Sequence, residues 1–100
     1  MVIWTEPAKS DLRAVHDFIA KDSRYYAKKV VNEMRESVDR LNSFPKIGRI
    51  VQELNYENIR EILIYSYRVI YEINDQVITV LAVIHQRQAR IKEIHEKQDT

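Results

Sequence analysis

The chain has no cysteine, a single glycine and two prolines in 100 residues. The missing cysteine excludes disulfides and thiolate metal sites. With so little glycine and proline there is no material for a long flexible linker. Apolar runs stay far short of the roughly 20 residues that cross a bilayer. The opening MVIWTEPAKSD turns charged before an apolar signal core forms. These absences fit a cytoplasmic chain that makes no use of a membrane. A charge surplus is missing too. Sixteen Lys and Arg stand against fifteen Asp and Glu, for a net charge of +1, so affinity cannot come from tracking many phosphates. What excess there is lies in residues 1–50, with ten Lys and Arg against seven Asp and Glu. No repeat or low-complexity segment is present. His16, His85 and His95 are too far apart for ligand spacing, so neither a metal nor any other cofactor is expected.

What remains is 45% hydrophobic and 31% charged, the balance of a soluble globular domain, and this length supports one modest core. Val2, Ile3 and Trp4 read as a first strand. Thr5 is a suitable N-cap for a helix with Pro7 in its first turn. Ala8, Leu12, Val15 and Ile19 recur at spacings of four, three and four, with Phe18 beside them, which predicts an amphipathic helix ending near Lys21. Asp22 and Ser23 cap a second helix with Ala27, Val30, Val31, Met34, Val38 and Leu41 on its apolar side. Together they predict an antiparallel helical hairpin. Residues 43–49, SFPKIGR, break the helix. Strands follow over 59–65, 67–73 and 77–84, the middle pair split by the turn Asn74-Asp75-Gln76. The last strand is apolar on both sides, so it belongs inside the sheet, with Leu81 buried and Val30 and Met34 facing it or its neighbours. The fold class is therefore α+β, in the order β-α-α-β-β-β, with the hairpin on one face of a small, mostly antiparallel sheet. The first strand returns beside the last. Residues 1–88 form the single domain. Residues 89–100 are a polar tail, a short helix or partly disordered.

The most apolar stretch, RVIYEINDQVITVLAVIHQRQ over 68–88, begins at Arg68 and ends in His85-Gln86-Arg87-Gln88. Either these polar residues are strand ends reaching water, or they are a site. Arg60 and Arg68 lie on consecutive strands, and in an antiparallel meander Arg60, Arg68, His85 and Arg87 can gather at one side of the sheet. Arginine holds phosphate oxygens bidentately, and histidine exchanges protons near neutrality. The plainer alternative pairs Arg60 and Arg68 with Glu61, Glu72 or another carboxylate across the sheet. The six tyrosines read as packing residues, since Tyr65, Tyr67 and Tyr71 alternate as cross-strand neighbours do.

An ordered set of short motifs covers about 90 positions. It contains Trp4 and Pro7-Ala8 before Asp11-Leu12, then Phe18-Ile19-Ala20. Leu41, Phe44-Pro45 and Gly48-Arg49 follow, and after them Ile59-Arg60-Glu61, Tyr67-Arg68-Val69-Ile70-Tyr71 and Val83-Ile84-His85-Gln86-Arg87. In this the chain resembles the RelE/ParE superfamily of type II toxin–antitoxin toxins. The resemblance implies a small bacterial or archaeal toxin held inactive by a co-expressed antitoxin, in a hetero-oligomer. It also implies a choice of targets. The RelE branch cuts messenger RNA on the ribosome; the ParE branch poisons DNA gyrase without known nuclease chemistry.

RNA cleavage needs an activated 2′-OH, a stabilised phosphorane and a protonated leaving oxygen. Arg60, Arg68, His85 and Arg87 are the residues that would supply this, and Arg68 and His85 stand where some RelE-type nucleases keep an arginine and a histidine. Three features point the other way: the low net charge, the ParE-like Phe44-Pro45 and Gly48-Arg49 segment, and a tail without the tyrosine- and lysine-rich composition of RelE nucleases. The expectation is a ParE-type gyrase poison with no enzymatic activity. RelE-type mRNA cleavage through Arg68 and His85 is the alternative, and a non-toxic, binding-only relative is the third reading.

Overall fold

The computed structural model describes residues 1–86. Arg87 and the tail over 89–100 lie outside the described residues. The elements are β1 (Val2–Trp4), α1 (Glu6–Ala20), α2 (Arg24–Asp39), β2 (Arg49–Ile50), β3 (Ile59–Ile64), β4 (Tyr67–Asn74) and β5 (Val77–His85), with two 3₁₀ turns at Arg40–Asn42 and Pro45–Ile47. Thr5 caps α1 as its sequence position predicts. Its hydroxyl accepts from the Ala8 amide at 3.2 Å and donates to the Val80 carbonyl at 2.8 Å, so one side chain starts the helix and ties it to β5. Ser23 caps α2 by accepting from the Tyr26 amide at 3.1 Å. These caps satisfy amides that have no partner within the helix.

The sheet order is β1-β5-β4-β3-β2. β1 runs parallel to β5, and the other neighbours pair antiparallel. The return of the first strand to the last, expected from packing, is therefore what forms. β2 is an addition. Two residues are too short to announce themselves as a strand, and Arg49 and Ile50 are fixed only by pairing with Glu61 and Arg60.

One core lies between the hairpin and the sheet. Leu12, Val15, Val30, Met34 and Val38 meet Val69, Tyr71, Ile78, Val80 and Val83 there. A second cluster covers the outer face: Val51, Ile59, Ile70, Leu81, Ala82 and Ile84, with Leu54 packed against them. Two clusters explain why β5 is apolar on both sides. They also correct the expected surroundings of Leu81. It belongs to the outer cluster, and the residue of β5 that packs with Val30 and Met34 is its neighbour Val80. The cause is an irregularity in the β4–β5 ladder. Ile70 pairs with Ala82 but Tyr71 pairs with Val80, which leaves Leu81 as an extra residue. Such a bulge shifts the alternation of side chains by one. Before it Ile78 and Val80 face the helices; after it Val83 does.

Candidate functional site

Arg68 lies on the outer face of β4, where its whole side chain is enclosed by carboxylates. Its Nε donates to Glu61 Oε2. Its Nη1 and Nη2 donate to the two oxygens of Glu53 at 2.8 and 2.9 Å, a bidentate pair. Glu61 also accepts from Arg49 Nε at 2.8 Å. Glu61 and Arg68 are 2% and 6% exposed, so this is a buried ion network at the sheet. Its two arginines and two glutamates sum to zero charge. The Arg68 hydrogen bond holds the Glu53 carboxyl at a pKa of about 2, well below its usual 4.5. The same pairing raises Arg68. Buried charges tolerate their desolvation only when paired this fully. The arrangement holds a loop, since Glu53 sits between β2 and β3 and the network fastens that segment onto the sheet. An incoming phosphate would find the guanidinium fork already occupied.

Arg60 lies on the opposite, helix-facing side of the sheet. Its guanidinium donates to three backbone carbonyls, those of Glu57 at 3.1 Å, Gly48 at 3.0 Å and Lys46 at 3.4 Å. It braces the turn over 44–48 together with Tyr71. The Tyr71 hydroxyl donates to the Pro45 carbonyl at 2.6 Å and accepts from the Gly48 amide at 3.1 Å. A Cβ at Gly48 would stand 2.5 Å from that hydroxyl and 2.6 Å from the Glu61 carbonyl oxygen. Close approach, rather than an unusual backbone angle, is why glycine stands at position 48.

His85 ends β5 on the helix-facing side. It is paired with Tyr67 and exposed, and its ring meets the Tyr67 ring edge-on at 5.7 Å between centroids. The two residues line a groove of about 410 Å³ with Asp11, Phe18 and Val83. The Asp11 carboxylate accepts from the Val83 amide at 3.0 Å. Arg60 pairs with Tyr71 and His85 with Tyr67, so four residues of β4, about 13 Å, separate them along the strand. Arg68 is on the other face. The structure thus places Arg60, Arg68 and His85 in three different surroundings rather than in one cluster. No group of three metal-ligating side chains occurs among the described residues.

A surface that the residue-by-residue reading did not single out lies along the helical hairpin. Trp4, Leu12 and Val31 floor a groove of about 550 Å³, and Lys9, Arg13, His16, Lys28 and Arg35 stand around it. No carboxylate lines it. The signal was present in the sequence as basic residues of two helices, but only the crossing of those helices brings them to one channel.

A model of the family described as "ParE toxin of type II toxin-antitoxin system, parDE" matches residues 2–90. Among curated proteins, "Toxin RelE2" of Caulobacter vibrioides is 26% identical over 85 residues, covering 84% of this chain and 92% of the relative. Two solved structures share the fold. The chromosomal ParDE toxin–antitoxin system from P. aeruginosa aligns with a TM-score of 0.69 at 20% identity, over 84% of this chain and 92% of that one. An arginine-substituted mutant of the E. coli toxin RelE, in its free state, aligns with a TM-score of 0.72 at 16% identity, over 100% and 97%.

Proposed function

This chain belongs to the ParE toxin family of type II toxin–antitoxin systems, and on that premise we propose that it arrests growth by poisoning DNA gyrase, without enzymatic activity of its own. The observation that carries this reading is the state of Arg68. Its fork is closed by Glu53 and Glu61 in a network of zero net charge. The residue best suited to grip a phosphorane is spent on fold. His85 is exposed but lacks a neighbouring arginine among Arg60 and Arg68, and a proton shuttle with no phosphate clamp is half of a nuclease.

RelE-type mRNA cleavage is the second reading, favoured by the exposure of His85 at a strand end and by the name of the Caulobacter relative. Substituting His85 separates the two. A gyrase poison with His85→Gln keeps its full growth arrest on induction. A nuclease using His85 for proton transfer loses on the order of 10²–10⁴ in rate, and arrest fails. A chain that leaves growth unchanged when induced alone is the third case, a binding-only relative.

The partner in this reading is a co-expressed antitoxin, bound in a hetero-oligomer in the cytoplasm. The groove between the helices suits a segment of acidic, amphipathic character: apolar residues for Trp4, Leu12 and Val31, carboxylates for the cations around them. The short edge strand β1 adjoins it through Trp4. Reversing two of its charges, Arg13→Glu with Arg35→Glu, weakens binding of the antitoxin by roughly tenfold or more and steepens with falling salt. An affinity unchanged by the double reversal places the antitoxin elsewhere.

A further inference from the structure

The turn over 44–48 is held from beneath by four side chain to backbone hydrogen bonds from Tyr71 and Arg60. Tyr71 is fully buried and Gly48 is required by close contact. This framework presents two large apolar side chains to water: Phe44 is 63% exposed and Ile47 69%. A single exposed apolar residue needs no explanation. Two of them three residues apart, on a turn braced by buried polar groups, form a preorganised contact surface of the kind that dominates binding energy. The residues beside them are cationic. Lys46 and Arg49 keep side-chain exposures of 67% and 62%, and the carboxylate that neutralises Arg49 is the buried Glu61. Water therefore meets an apolar knuckle with positive flanks.

We infer that the Phe44–Ile47 knuckle is the surface by which this toxin grips its target, and that the target offers a protein pocket, apolar within and rimmed by carboxylates. An isoleucine cannot stack on a base, and the rim is too small to follow a phosphate backbone, so a protein pocket fits where a nucleic acid does not. Neither Phe44 nor Ile47 lines the cationic groove between the helices. Target and antitoxin thus have different footprints. The inference rests on the toxin reading above, but not on the identity of the target.

The test is the double variant Phe44→Ser with Ile47→Ser, beside Phe44→Leu. Growth arrest on induction is scored, and the purified chains are compared for inhibition of gyrase supercoiling, melting temperature and solution mass. The double variant melts like the wild type, because both side chains are exposed. It loses growth arrest, and half-inhibition of gyrase needs roughly tenfold more protein or beyond. Phe44→Leu keeps most of the activity. A folded double variant with full growth arrest overturns the inference. So does a fall in solution mass with toxicity intact, since the occupant is then a second copy of the chain. A wild-type chain that arrests growth but spares gyrase defeats the gyrase reading alone, and the growth-arrest comparison still decides the knuckle. A wild-type chain that arrests nothing overturns both.

Discussion

Arg68 and Glu61 each hold the other's charge in place inside the sheet. Removing one partner of a buried pair leaves an uncompensated charge and costs about 3–5 kcal/mol. That is a large part of the roughly 5–15 kcal/mol that stabilises a domain. Loss of toxicity in Arg68→Ala therefore reports folding before chemistry. Glu53 gives the cleaner handle, because its carboxylate is partly exposed. Its folded pKa of about 2 lies below the ordinary 4.5, chiefly through the hydrogen bond from Arg68. A depressed carboxylate stabilises the fold fully above its unfolded pKa and loses that contribution as pH falls through the folded value. Stability should then decline as pH drops from about 4.5 towards 2, by an amount that solvent screening keeps modest. Denaturant titrations at a series of pH values, wild type beside Glu53→Gln, check this. The variant is expected to be less stable near neutrality and to show a flatter decline. Identical profiles would mean that the bidentate pair contributes nothing in solution.

Among the elements, β5 decides what was readable in advance. Its apolar residues placed it inside the sheet, and Thr5, Ser23 and the spacing of Leu12, Val15 and Val30 gave both helices with their caps. The extra residue at Leu81 was not readable. A bulge adds no unusual residue type; it arises from how two strands pair. Its consequence reaches the site. Under strict alternation with Ile78 and Val80, His85 would share the outer face with Arg68. The bulge moves it to the side of the helices, beside Tyr67. Arg60 and Arg68 follow the plainer reading offered by their sequence, with partners found inside the fold. The specific partners, Glu53 for Arg68 and the turn carbonyls for Arg60, sit across loops whose path the sequence does not encode locally. Leu81 tests the element directly. At 4% exposure in the outer cluster, Leu81→Ala should cost roughly 2–5 kcal/mol in denaturant unfolding. A loss below about 1 kcal/mol would mean that the outer cluster is not a packed core.

At the scale of the whole molecule, three surfaces divide the work. The helical hairpin carries the cationic groove, the outer sheet face carries a neutral ion network, and the braced turn carries Phe44 and Ile47. Only the first and third offer unsatisfied chemistry to a partner, apolar area with positive flanks in both. A molecule of net charge +1 with its most buried arginine neutralised is built to bind proteins rather than to cut a polyanion. The decisive measurement sets the purified chain against two targets in parallel: supercoiling of relaxed plasmid by DNA gyrase, and cleavage of messenger RNA bound to translating ribosomes. The account predicts inhibition of supercoiling, relieved by the antitoxin, with the ribosome-bound message left whole. Message cut at the ribosome while supercoiling proceeds unimpeded would contradict it.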